Sequence, residues 1–157
     1  MTTAIDRSIR IRSARVGDIE TLVEFNQAMA RETEHKALDR GVLRAGVAAV
    51  FAQPQRGFYR VAERGADVVG CLMVTFEWSD WRNGDIWWLQ SVYVHAEHRR
   101  AGVFAALYRD VERRARATAG VIGVRLYVEQ DNAKAQRVYA SFGMERTNYR
   151  LYEVLFS

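Results

Sequence analysis

The stretch Arg99-Arg100-Ala101-Gly102-Val103-Phe104 puts two guanidinium groups and a glycine immediately before a segment of helical period. That combination suits an anion. The first amides of a helix have no partners within it, and the helix dipole adds positive potential at the same end. A glycine at position 102 allows close backbone approach, while Arg99 and Arg100 supply charge. The pattern is not a Walker A loop, because no Gly-Lys-Ser/Thr follows, and it is not the three-glycine dinucleotide fingerprint. A surface loop with solvated arginines would show the same letters.

Other reactive groups are sparse. His95 and His98 flank the loop, but two histidines three apart with no third ligand beside them make a poor metal site, so no metal is expected. Cys71 sits in an apolar run and is expected to fill the core. A second concentration is Glu77-Trp78-Ser79-Asp80-Trp81-Arg82-Asn83, followed by Trp87 and Trp88. Tryptophans among carboxylates can hold a cationic amine by cation–π contact and ion pairing, or can simply plug one end of a core.

These residues need elements to position them. Alternation in Ser8 to Arg12 predicts a first strand. Asp18 resembles an N-cap for a helix with Ile19, Leu22, Val23, Asn26 and Met29 on one face. A second helix, with Leu43, Val47, Val50 and Phe51 inward, should end near Pro54. Phe58 to Ala62 and Val68 to Phe76 read as a hairpin across Glu63-Arg64-Gly65-Ala66-Asp67. After the Asn83-Gly84 turn comes a long strand, Ile86 to Val94. The helix from Gly102 turns Val103, Leu107, Val111 and Ala115 inward. Val121 to Val128 is a strand. Asn132 caps a last helix carrying Ala135, Val138, Tyr139 and Phe142, closed by Gly143. Tyr149 to Phe156 alternates and is expected to be a final strand. The order βααβββαβαβ is that of an α/β protein with a mixed sheet flanked by helices.

The 157 residues suit one domain, 1–157. The net charge is +4, almost all of it from arginine, with Lys36 and Lys134 the only lysines. These charges are spread along the chain rather than clustered, so a nucleic-acid partner is not expected. No apolar run is long enough for a membrane span, and residues 1–7 lack a signal-peptide pattern, so a cytoplasmic setting is expected.

Leu89-Gln90-Ser91-Val92-Tyr93-Val94-His95-Ala96-Glu97-His98-Arg99-Arg100-Ala101-Gly102-Val103-Phe104-Ala105-Ala106-Leu107 resembles the core motif of the GNAT superfamily of N-acetyltransferases. Tyr127 to Tyr139, continuing through Phe142-Gly143-Met144, resembles that family's second motif, and the element order matches as well. The resemblance implies a GNAT-like fold and acetyl-coenzyme A as co-substrate. Arg99, Arg100, Ala101, Gly102, Val103 and Phe104 would bind its pyrophosphate through backbone amides. Val92, Tyr93 and Val94 would lie along its pantetheine arm from a splayed strand, and Asn132, Ala135 and Tyr139 would meet the arm or its thiol end. Phe104 stands where the family usually has glycine or alanine, so its side chain must turn away from the phosphates.

The same resemblance implies the chemistry. Tyr139 would protonate the departing thiolate, and the N–H of Val92 would meet the oxyanion if the strand bulges there. Many relatives have glutamate where this chain has Gln90, and an amide cannot take a proton. Either water leads to Glu77, Asp80 or Asp85, or the amine arrives deprotonated. The acceptor would be a small amine or a protein amino group, met by Glu34, Trp78, Asp80, Trp81, Trp88 and Gln90. A non-catalytic acyl-coenzyme A sensor of the same fold is the alternative. The acceptor's identity and pairing into a homodimer are left open.

Overall fold

The computed structural model describes residues 8–156; residues 1–7, where no leader pattern was read, and Ser157 lie outside the described residues. The elements are β1 (Ile9–Ser13), α1 (Ile19–Glu34), α2 (Arg40–Ala52), β2 (Phe58–Arg64), β3 (Asp67–Ser79), β4 (Gly84–Val94), α3 (Val103–Ala117), β5 (Val121–Leu126) and α4 (Ala133–Ser141). This is the expected order through α4. The described residues divide into two compact units after Leu126.

The first unit holds the whole sheet, in the order β1-β2-β3-β4-β5. Neighbours are antiparallel as far as β4, whereas β5 runs parallel to β4. A parallel neighbour needs a crossover, and α3 supplies it. Alternation along the strands divides the core between the two faces. Tyr59, Val61, Cys71 and Tyr93 pack with Leu22, Val23, Phe25 and Val47 of α1 and α2. On the other face Gly70 admits α3 so closely that a Cβ there would lie 3.0 Å from Val103 Cγ1 and from the Tyr93 carbonyl oxygen. Val103, Leu107, Val111 and Ala115 are all buried, as their period requires.

A buried ion pair ties β2 to α3. Arg60 Nε donates to Asp110 Oδ2 at 2.7 Å, and Arg60 also donates to Ser13 Oγ at 2.6 Å. The same carboxylate accepts from Arg113 and Arg114 at 2.8 and 3.1 Å.

Two local expectations change. Asp18 does not cap α1 with its side chain; it accepts from the Arg15 N–H at 2.7 Å and binds Arg12 through two hydrogen bonds. A single-turn helix at Val16–Asp18 precedes α1, so the capping residue serves that turn instead. The final strand expected over Tyr149 to Phe156 does not form, and Tyr152 and Phe156 are 90% and 93% exposed. Alternation says which side chains would share a face, but a strand forms only where a neighbouring edge takes its backbone groups.

In the second unit, α4 starts as expected. Asn132 Oδ1 accepts from the Ala135 N–H at 3.0 Å. Gly143 follows the helix at φ 84°, and the Gly143 and Met144 amides bond back to the carbonyls of Ala140 and Tyr139.

Candidate functional site

The site is built where β4 changes register. Cys71 faces Tyr93 and Met73 faces Gln90, so Leu72 lies opposite two residues, Ser91 and Val92. Ser91 takes up the extra length in the left-handed region, at φ 49°. This is a β-bulge, and it falls at the position expected for the oxyanion amide. Polar groups support it from below: Cys71 Sγ donates to the Ser91 carbonyl at 3.4 Å, and the buried Tyr59 hydroxyl lies close to Asn26 and Ser91. Burial pushes the Tyr59 phenol up to about 12 and the Cys71 thiol up to about 12, so both stay protonated. Cys71 is thus a buried, unreactive thiol.

The sheet opens at the same place. The β4–β5 ladder runs from Asp85↔Val121 to Leu89↔Leu126 and stops. Beyond Leu89, β4 keeps β3 on one side and has no strand partner on the other among the described residues. Residues 90–94 therefore offer an edge to an extended ligand.

A single helical turn at Ala96–His98 joins that edge to the anion loop. Arg100 and Gly102 both adopt left-handed backbone, at φ 66° and φ 80°, with Arg99 extended. Gly102 is the N-cap of α3, and no side chain caps the helix there. Its first amides are left for a ligand, reinforced by the dipole. Phe104 lies along the helix beside Tyr108, with ring centroids 6.3 Å apart.

The two arginines of the loop do different things, which the sequence did not reveal. Arg100 makes no ion pair among the described residues and keeps its charge for a ligand. Arg99 is engaged inside the protein: it donates to Glu32 Oε2 at 2.6 Å and to the Val94 carbonyl at 2.9 Å. Its guanidinium lies 5.5 Å from the centre of the Tyr93 ring, and the Tyr93 hydroxyl donates to Glu32 Oε1 at 3.1 Å. Arg99 holds the Glu32 carboxyl below the usual range. Arg99 is thus ion-paired with Glu32 on α1, a contact the sequence did not announce.

Glu97 also escaped the sequence, as a third ligand for the histidine pair. His95, Glu97 and His98 bring one ligand atom each to within 4.8 Å of one another. However, His98 Nδ1 lies 3.2 Å from the Arg64 guanidinium, which can only donate. The proton of that ring then sits on Nε2, and a fixed positive charge stands beside the cluster. Both oppose a cation.

The six acceptor residues are not brought into one pocket. Glu34 ends α1 and pairs with Lys36 at 3.7 Å. Trp78, Asp80 and Trp81 lie at the β3–β4 turn, the end of β4 remote from the loop, with Trp78 and Trp81 62% and 86% exposed. Only Trp88 and Gln90 stand near the bulge. Trp88 already has a cation, the Arg125 guanidinium 5.6 Å from its ring centre, and Arg125 also pairs with Glu77 at 2.7 Å. Gln90 donates to Thr75 Oγ1 at 2.6 Å. The physical reason is strand length: about 3.4 Å per residue carries the turn residues about 20 Å from Gln90. A separate cavity of about 530 Å³, walled by Phe51, Phe58 and Trp87, lies toward the C-terminal ends of α2 and α3, away from the loop.

In the second unit Tyr139 is half-buried on α4, and burial raises its phenol above the ordinary tyrosine value. Ala135 is half-buried as well, whereas Asn132 is exposed.

Comparison with known proteins gives a family and a fold. Residues 20–144 match the family model described as Acetyltransferase (GNAT) family. The crystal structure of a possible acetyltransferase from Clostridium difficile 630 is 42% identical with a TM-score of 0.88, covering 95% of this chain and 98% of that one. Two others share the fold at lower identity. A GCN5-related N-acetyltransferase from Ralstonia eutropha JMP134 is 20% identical with a TM-score of 0.74, covering 93% and 98% of the two chains. A predicted acetyltransferase with acetyl-CoA from Clostridium acetobutylicum is 16% identical with a TM-score of 0.76, covering 93% and 96%. No curated protein matches the chain.

Proposed function

The chain belongs to the acetyltransferase (GNAT) family, and from that premise we propose that it moves the acetyl group of acetyl-coenzyme A onto a primary amine, either a small cationic amine or a protein amino group. Membership makes it an acyltransferase that draws on acetyl-coenzyme A; the amine is the proposed part. We take residues 1–157 as one acetyltransferase domain, since the family model runs across both units. No described helix is long and apolar enough to cross a membrane, and a cytoplasmic setting is part of the proposal.

One observation carries the proposal: the β4 edge opens at the bulge and is followed, after a helical turn at Ala96–His98, by the uncapped start of α3. The edge at Val92, Tyr93 and Val94 suits a pantetheine arm running alongside it. Residues 99–104 suit the pyrophosphate, with Arg100 as its free cation. The Val92 N–H, displaced by the bulge, is the donor for the oxyanion formed when the amine attacks the thioester carbonyl in a ternary complex. Asn132 and Ala135 are assigned to the arm and Tyr139 to the leaving thiolate by resemblance to the family's second motif. Trp88 and Gln90 are kept as acceptor contacts because they adjoin the bulge. The mechanism uses no metal.

Replacing Gly102 by alanine tests the loop. A Cβ at φ 80° costs about 1–2 kcal/mol, and relief of that strain would tilt the first amides of α3. Coenzyme A affinity measured by calorimetry is expected to fall about tenfold. Unchanged affinity would remove the loop from the site.

None of the three carboxylates considered as general base, Glu77, Asp80 and Asp85, stands beside Gln90. Asp85 is five residues from Gln90, about 17 Å along the strand, and Asp80 is further away. Glu77 is held by Arg125. The amine should therefore arrive already neutral. For a series of acceptors, the rising limb of kcat/KM against pH is expected to move with each amine's own pKa. A limb fixed at one pH for every amine would show that the enzyme supplies a base.

The direct test of function is thiol release from acetyl-coenzyme A across polyamines, aminoglycosides, amino acids and peptides. Stimulation by one class identifies the acceptor. Tight coenzyme A binding without stimulation by any amine would overturn amine transfer.

A further inference from the structure

We propose that Glu32, on the last turn of α1, is a positioning residue that sets the affinity for acetyl-coenzyme A by holding Arg99 in place. The proposal rests on the assignment of residues 99–104 to the cofactor's pyrophosphate. Four contacts converge on one spot: the ion pair from Arg99 to Glu32, the Arg99 bond to the Val94 carbonyl, the stacking of its guanidinium on Tyr93, and the Tyr93 hydroxyl on the other Glu32 oxygen. Together they clamp the end of β4, the start of the loop and the end of α1.

The consequence for the loop follows from backbone geometry. Arg99 is the residue from which the chain enters left-handed backbone at Arg100, and left-handed non-glycine backbone is costly unless its surroundings fix it. With the Arg99 side chain turned toward α1 and bonded there, the loop holds its ligand-binding form before the ligand arrives, and less ordering is left for binding. Without Glu32 the Arg99 side chain is free to swing, and that ordering falls to the binding step. Arg99 would also lose its neutralising partner, so its charge would attract phosphate. The proposal holds that the loss of order outweighs that gain. A carboxylate at position 32 is thus tied to the cofactor rather than to proton removal from the amine. Its lowered pKa keeps it ionised at neutral pH: this contribution is complete above the ordinary glutamate range and disappears only as pH falls through the lower folded value.

The test is a cycle over the wild type, Glu32→Gln, Arg99→Ala and the double variant, with coenzyme A affinity, acetyl-coenzyme A KM and kcat measured for each. Half-exposed ion pairs have modest effects, so Glu32→Gln is expected to weaken coenzyme A about three- to fivefold, with kcat and Tm held. Glu32→Asp should recover part of the loss. Glu32→Gln in the Arg99→Ala background should add nothing, since the partner is already gone. Wild-type affinity in Glu32→Gln, or an equal effect in both backgrounds, overturns the positioning role while leaving the loop assignment intact. A wild-type protein that does not bind coenzyme A overturns the loop assignment itself, and the role of Glu32 with it.

Discussion

Replacing Tyr139 by phenylalanine is expected to lower kcat about a hundredfold or more, the usual contribution of a positioned general acid, while coenzyme A affinity stays within about twofold. The substitution removes one oxygen from a half-buried ring and keeps the ring, so α4, capped by Asn132 and closed at Gly143, should be undisturbed. Burial raises the phenol's pKa, which keeps it protonated across the neutral range and ready to donate to a thiolate. The limb due to Tyr139 should therefore lie on the alkaline side, above the ordinary tyrosine value, and the phenylalanine variant should lack it. An acetyl thioester whose thiol is more acidic needs less help in leaving, so the variant should lose less with such a donor. If the donor's thiol made no difference, or if turnover were unchanged, the proton would have to come from elsewhere.

The largest expected effect on stability is at Asp110. Arg60 and Asp110 are 2% and 4% exposed, and desolvation bears hard on the Arg60 guanidinium, lowering its pKa while Asp110 pulls the other way. Asp110→Ala would leave that cation buried with only Ser13 and cost about 3–5 kcal/mol. For a chain of this size the drop in melting temperature is on the order of 10 °C. Arg113 and Arg114 would lose their shared acceptor as well, adding like charges around the gap. Exchanging both members of the pair, Arg60→Met with Asp110→Leu, should restore most of the loss, because no charge is then stranded. Calorimetric unfolding distinguishes the outcomes: a single substitution costing under about 1 kcal/mol would mean that water reaches Arg60.

Periodicity was enough to place α3, since Val103, Leu107, Val111 and Ala115 recur at helical spacing over a length too great for an ordinary strand, with Arg109, Glu112, Arg113 and Arg116 off that stripe, and it placed α1 and α2 equally well. The anion loop was legible because glycine, arginine and a helix start are all local signals. The bulge was expected at Val92 only through resemblance; nothing in Gln90-Ser91-Val92 marks an inserted residue, because a bulge depends on the register of the partner strand. Glu32 was invisible, being an ordinary exposed acid near a helix end whose partner lies 67 positions away. Asp18 shows the converse: its type correctly signalled a cap, but the single turn before α1 claimed it. The acceptor group fell apart for want of a distance scale, because tryptophans close in sequence were strung along an extended strand. Tyr149 to Phe156 had the letters of a strand, but composition cannot specify an edge to join.

The single extra residue in β4 is one that the fold could lose and the site could not. Ahead of it Gln90 lies on the α1 face, and after it Tyr93, three positions on, lies on that face too, where regular alternation would have turned it away. Deleting Ser91 would put Tyr93 two positions from Gln90, where regular alternation keeps it on the α1 face and opposite Cys71 as before. Val94 would still meet Gly70, and Arg99 would stay within reach of Glu32. What would go is the kink itself, and with it the displaced Val92 N–H. Related sequences that keep this site should therefore keep the count of residues between Gln90 and Tyr93, whereas one that loses a residue there should keep the fold and lose the bulged donor.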